Sequence, residues 1–303
     1  MTQHPLALRR ISILAAVVAV AFTLVGGFGV IQAPATRASG DPFPVQVQTA
    51  NWSGLVAVGP SQNEPVHARV ILPTVTCNTV GEVAMWVGYD GYNFNGSHSL
   101  SVEQDGVTAT CKRIGGKAEY WLWYEIVNHN TNSVNTPGPV PVLRNVWHKL
   151  TAGDTVDMYV DGPISVCNRY IGKWCISWGE GVYLSLIVKT ASGAYMDSWS
   201  GTSEVSSNVQ FNSSECIVEA PGMDFAGSGH GLPEFTLAPS TPSPVGQRNL
   251  MDFQNCSALD SSNRVDVLEI ANPSDNHVLT RVRWVGGLSL NESDTYIAWY
   301  QSI

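Results

Sequence analysis

Twelve times between Asn51 and the C-terminus, this chain repeats one local pattern: a short run rich in Val, Ile, Thr, Trp and Tyr, closed by Gly, Pro, Asn or Asp. The runs are Trp52–Val58, Val66–Leu72, Glu82–Asp90, Ser99–Gln104, Val107–Lys112, Ala118–Val127, Thr155–Val160, Val182–Thr190, Glu215–Glu219, Val265–Ile270, Val278–Val285 and Thr295–Tyr300. β-Branched and aromatic side chains suit a pleated, half-buried surface. No 12-residue window in this stretch carries the 3.6-residue apolar period of an amphipathic helix. Many short strands punctuated this way predict an all-β chain, an antiparallel β-sandwich or barrel. Asn128–Val146 and Met223–Gln247, rich in Pro, Asn and Gly, read as loops.

The first 39 residues do not share the pattern. Arg9-Arg10 precede an apolar run from Ile11 to Ile31, and small residues follow, with candidate cleavage after Ala35 or Ala38. That is the layout of a secretory signal peptide, so a secreted, extracellular protein is expected. An uncleaved anchor is the alternative, since about 20 apolar residues span a bilayer. Residues 40–303 are then expected to form a single β-sandwich domain.

The whole chain has a net charge of −9. Without residues 1–39 it has 13 Lys+Arg against 25 Asp+Glu, or −12. Such a surface argues against nucleic acid and anionic membranes as partners. All six cysteines lie beyond residue 39, and an even count in a secreted chain implies disulfides. Six cysteines allow 15 pairings. Cys167 and Cys175 enclose only seven residues and form the readiest pair.

No G-x-S-x-G, H-E-x-x-H or D-[ST]-G motif is present, and no Cys/His spacing suits zinc. A Ser-His-Asp triad could still be assembled from distant residues. Nothing points to a metal or an organic cofactor. In an extended Ser214–Glu219 segment, Glu215, Ile217 and Glu219 share one face and Cys216 and Val218 the other. Charged alternation on a solvated strand would read the same way. Ten Trp and ten Tyr also suit a carbohydrate-binding or glycosidase sandwich. Glu215 and Glu219, however, lie roughly 13 Å apart along a strand, too far for a glycosidase pair, so that chemistry needs a cross-strand partner such as Glu125.

Five blocks narrow the choice: Asn51-Trp52-Ser53-Gly54, Trp86-Val87-Gly88-Tyr89-Asp90-Gly91, Ser101-Val102-Glu103-Gln104-Asp105-Gly106, Trp121-Leu122-Trp123-Tyr124-Glu125 and Ser214-Glu215-Cys216-Ile217-Val218-Glu219. In this order they resemble the eqolisin family of glutamic peptidases, from Asn51 to the C-terminus. The resemblance implies a secreted acid endopeptidase built as a concanavalin-like or jelly-roll-like sandwich of two packed, curved sheets. Its substrates would be polypeptides, it would need no cofactor, and it is read as a monomer. Gln104 and Glu219 would be the catalytic pair. Trp52, Trp86 and Trp123 would line the cleft, with Asp90 and Glu125 the acids near it. Asn128–Val146 would be the flap over the cleft, although Trp123-Tyr124-Glu125-Ile126-Val127-Asn128 departs from the family's W-Y-E-W-Y-P. Leu250–Cys256 resembles the strand that completes the sandwich. Cys216 replaces the family's aromatic, and the remaining pairs are expected as Cys77–Cys111 and Cys216–Cys256.

A carboxylate and an amide can in principle hydrolyse a peptide. Glu219 would take a proton from water and return it to the leaving amine, while Gln104 would hold the water and the oxyanion. With an unperturbed pKa near 4.3, Glu219 would work in acid unaided. The two side chains are expected on neighbouring strands, on one face, about 3–6 Å apart. The rivals are a lectin-like sandwich or glycosidase, and an inactive relative acting as a binding protein.

Overall fold

The structure is a computed structural model. It describes residues 45–58, 65–92, 101–128, 139–142, 149–205, 209–223, 231–239, 241, 250–257, 264–271, 277–285 and 294–299. The N-terminal segment expected to be a signal peptide lies outside them, as does most of the expected flap.

The described residues contain strands and no helix. In chain order the strands are β1 Val45–Thr49, β2 Trp52–Val58, β3 Val66–Ile71, β4 Thr74–Thr76, β5 Gly81–Asp90, β6 Ser101–Cys111, β7 Glu119–Asn128, β8 Val140–Val142 and β9 Thr155–Ile171. They continue as β10 Trp174–Lys189, β11 Tyr195–Glu204, β12 Ser213–Glu219, β13 Glu234–Thr236, β14 Leu250–Ser257, β15 Arg264–Ile270, β16 Thr280–Val285 and β17 Asp294–Trp299. One sheet has the order β1-β15-β2-β12-β5-β6-β7-β8 and the other β11-β10-β9-β3-β14-β17-β16. β4 and β13 form a separate two-stranded pair. Pairing is antiparallel except between β1 and β15, which run parallel at the margin of the first sheet.

The core lies between the two large sheets. Leu55, Met85, Val87, Val107 and Val218 of the first sheet meet Val66, Met158, Val160, Leu184, Leu186 and Phe253 of the second. The second sheet keeps the alternation of a one-sided sheet: Val66, Ala68 and Val70 of β3 are buried and the residues between them are not. The first sheet differs. β6 is buried on both faces almost throughout, and a second apolar cluster, including Trp52, Ala84, Trp86, Trp123 and Ile217, covers the face turned away from the core. That outward face carries the candidate site.

All three expected disulfides are present. Cys77–Cys111 and Cys167–Cys175 close local segments, and Cys216–Cys256 joins β12 of the first sheet to β14 of the second.

Several strands are longer than their sequences suggest. Asp105-Gly106 reads as a turn, yet β6 runs straight through it. Gly106 is required there: a Cβ would sit 2.7 Å from the Trp86 Cβ and 2.9 Å from the Trp123 ring. β9 continues past Gly162-Pro163, and β10 begins eight residues before the expected Val182. Together they make a long hairpin. The polar edge strand β11 carries too little apolar alternation to announce itself.

Candidate active site

Strands β12, β5, β6 and β7 set the site by register. Glu215, Gly88, Gln104 and Glu125 stand level with one another. Ile217, Trp86, Gly106 and Trp123 form the next outward row, and Glu219, Ala84, Thr108 and Trp121 the one after. Trp52 of β2 is level with Glu219. Residues directly opposite across antiparallel strands share a face. Glu215, Gln104, Glu125, Glu219, Trp52, Trp86 and Trp123 therefore all lie on the same, outward side of one sheet, with Glu215 fully buried there. Glycines at 88 and 106 keep the middle of that surface low. A Cβ on Gly88 would lie 2.9 Å from that of Gln104.

The polar groups interlock. Gln104 Nε2 donates to Glu125 Oε2 at 2.7 Å, and both residues are buried. Glu219 Oε1 accepts from Asn51 Nδ2 at 3.0 Å and its Oε2 from the Trp86 indole N–H at 3.0 Å. The Trp86 ring is itself braced edge-to-face by Trp52, with centroids 5.0 Å apart. Trp123 donates its indole N–H to Thr108 Oγ1 at 2.8 Å. Gln104 Oε1 and Glu125 Oε1 are buried without a hydrogen-bond partner. These two oxygens are acceptors available to a water or a peptide N–H.

Electrostatics separates the two acids. Desolvation, and then the charge of Glu125, push the Glu219 carboxyl up to about 7, although hydrogen bonds from Trp86, Trp52 and Asn51 pull it back. Desolvation also raises Glu125, and the Gln104 N–H offsets part of that by favouring the ionised form. The charge of Glu125 therefore favours the protonated form of Glu219. The expectation that Glu219 keeps an ordinary carboxyl pKa is not met, because sequence shows neither its partial desolvation nor its neighbour.

Two other expectations need correction. β6 and β12 are not neighbours: each pairs with β5, which lies between them. The residue level with Gln104 on β12 is Glu215, and Glu219 is displaced four residues along the strand. Asp90 is not part of the outward group. It is fully buried and accepts hydrogen bonds from the backbone N–H groups of Gln210, Phe211 and Asn212 and from the Ser101 hydroxyl. Its φ of 63° places it in the left-handed region at the end of β5. Asp90 organises the turn into β12.

Glu215 is also fully buried, and desolvation raises its carboxyl well above the usual range, with the charge of Asp90 adding to the rise. Glu103, on the opposite face of β6 from Gln104, is shifted the same way by burial, Asp90 and Glu215. These three acids form a group apart from the Glu125–Glu219 pair.

Residues 50–163 match the model of the Peptidase A4 family, the eqolisins. Over that segment the chain is similar to the Peptidase A4 family. Scytalido-glutamic peptidase with a peptide-based transition state analog is 16% identical, with TM-score 0.50, covering 83% of this chain and 98% of that one. That likeness supports the sandwich fold. SCP-B, an eqolisin solved with the tripeptide Ala-Ile-His, is 15% identical with TM-score 0.49, at 83% and 98% coverage. The aspergilloglutamic peptidase from Aspergillus niger is 19% identical with TM-score 0.40, at 73% and 99% coverage. No curated protein sequence matches the chain.

Sequence reasoning missed Asn51 and Thr108. Asn51 was visible as the polar residue opening the Asn51-Trp52-Ser53-Gly54 block, but its reach to Glu219 depends on β2 pairing with β12. Nothing in the sequence marks Thr108. Among the described residues no group of three or more His, Cys, Asp or Glu is arranged to hold a metal ion. On the second sheet His67 Nδ1 meets Ser257 Oγ, but Asp157, whose charge reaches His67, is held by Arg69 at 2.5 Å and Lys189 at 2.8 Å. That contact ties β3 to β14.

Proposed function

We propose that this chain is a glutamic peptidase of the Peptidase A4 kind, a secreted acid endopeptidase. In this reading Gln104 and Glu219 act on the scissile peptide, and Glu125 shares a proton with Glu219. The observation that carries the reading is the 2.7 Å hydrogen bond from Gln104 to Glu125, on the same face as the indole-bound Glu219.

Below neutrality the pair holds one proton, with Glu125 the more readily ionised member. Two carboxyls that feel one another's charge do not both ionise easily, which is the logic of other paired-acid hydrolases. The ionised carboxylate takes a proton from water as the water oxygen attacks the peptide carbonyl carbon. Gln104 has a second amide hydrogen free to meet the developing oxyanion. The protonated carboxyl then gives its proton to the amide nitrogen as the C–N bond breaks. The pair ends with one proton, its roles exchanged. Trp52, Trp86 and Trp123 supply an apolar floor for an extended polypeptide.

Glu219 is preferred to Glu215 because it is partly exposed and interacts with Glu125, whereas Glu215 is sealed from solvent and interacts with Asp90. Digestion of an unfolded protein in acid tests the activity. Cleavage that persists with chelators and is lost in Glu219→Gln supports this mechanism. A stable, folded chain that cleaves nothing supports the binding-protein alternative.

A further inference from the structure

The tip of the β9–β10 hairpin breaks the rule that large apolar side chains are scattered singly over a surface. Trp174 is 80% exposed, Trp178 65%, Ile171 64% and Tyr170 63%, and Ile176 is exposed beside them. Exposed Arg169 and Lys173 flank these residues. No Asp or Glu occurs from Gly162 to Gly179, although the chain as a whole carries a net charge of −9. The nearest acids along the hairpin and its neighbour are Glu180 on β10 and Glu204 on β11, at the base of the tip, and Glu204 is held by Asn168 at 3.1 Å. Cys167–Cys175 crosses the hairpin within this tip, so the loop is fixed before anything binds.

We propose that this tip is a docking element for an anionic lipid surface, inserted shallowly at the level of the headgroups. The chemistry favours lipid over other occupants. Indole and phenol rings settle at the boundary between headgroups and acyl chains, and Lys and Arg reach back to phosphates with their stems in the apolar layer. Ile171 and Ile176 offer aliphatic carbon. A sugar polymer recognised by stacked aromatic rings would make no use of it. The acidity of the whole chain argues against anionic membranes in general, and the local positive tip makes contact possible at one point only. The element belongs to the second sheet, through β9 and β10, and the candidate site to the first.

The test is vesicle co-sedimentation of the chain purified from the medium of an expressing host. Vesicles of phosphatidylcholine alone are compared with vesicles that include phosphatidylglycerol, at low and high salt. All variants share one N-terminus, so differences between them report the tip. The expected result is binding to the anionic vesicles that weakens at high salt. Ile171→Ser with Trp174→Ser should weaken it by at least about tenfold. Arg169→Glu with Lys173→Glu should remove the preference for anionic lipid, each lost cation costing roughly fivefold in affinity. Cleavage of a soluble substrate and the melting temperature should be unchanged in both variants. The proposal is overturned if the unaltered chain ignores anionic vesicles, or if binding is insensitive to both pairs of substitutions. It is equally overturned if Trp174→Ser instead abolishes a dimer seen by sedimentation or binding to an insoluble polysaccharide.

Discussion

Gln104 and Glu125 stand directly opposite one another on β6 and β7, and the amide of the first holds the carboxylate of the second at 2.7 Å. The bond favours the ionised form of Glu125. That charge, together with burial, keeps a proton on Glu219 up to about pH 7.

If Glu125 sets the proton on Glu219, Glu125→Gln removes a negative neighbour and lowers the Glu219 pKa. Turnover should fall by about 10²–10⁴ through loss of the base, and the alkaline limb of the residual kcat/KM profile should move toward acid. Glutamine keeps the shape, so folding should persist. An unmoved limb, with turnover retained, would show that Glu125 only binds substrate.

Asn51→Ala should shift the same limb the opposite way. Asn51 donates to Glu219 Oε1 and so stabilises the ionised carboxylate. Without it the Glu219 pKa rises further. Opposite shifts in the two variants, measured on one substrate, identify the limb with Glu219.

How far the site could be read in advance follows from these residues. The blocks around Gln104, Glu125 and Glu219 were legible because the residue types are distinctive and their order is kept. The register was not legible. Nothing local to Gln104 shows that β5 separates it from β12, or that Gly88 puts it level with Glu215. The pKa shifts were equally hidden, because burial of a charged residue is decided by distant strands. Strand positions were readable from Val, Ile and aromatic runs, while Gly106 and Gly162 looked like breaks and proved to be close contacts within strands.

Buried acids should make the fold itself acid-loving. Glu103, Glu215 and Asp105 are fully buried, with carboxyls raised well above the usual range by desolvation. A raised carboxyl stabilises the folded state fully below the unfolded pKa, near 4, and loses that contribution as pH rises through the folded value. The melting temperature should fall between about pH 4 and 8, by at least roughly 5 °C. A melting temperature that climbs over this interval would contradict the burial of these groups.

Cys216–Cys256 closes a 40-residue separation and ties one sheet to the other. In the chain-entropy model such a link contributes about 4 kcal/mol. Replacing both cysteines by Ala should lower unfolding stability in denaturant by that order. A loss under about 1 kcal/mol would mean that packing alone holds the sheets together.

The choice between the two glutamates of β12 is the central claim, and acid proteolysis by Glu219→Gln and Glu215→Gln, compared side by side, tests it most directly. Glu219→Gln removes a titrating group while keeping its size, and turnover should fall by about 10²–10⁴ with the fold intact. Glu215→Gln should retain most turnover, because a carboxyl sealed from solvent cannot reach a peptide. An active Glu219→Gln beside an inactive but folded Glu215→Gln would overturn the assignment.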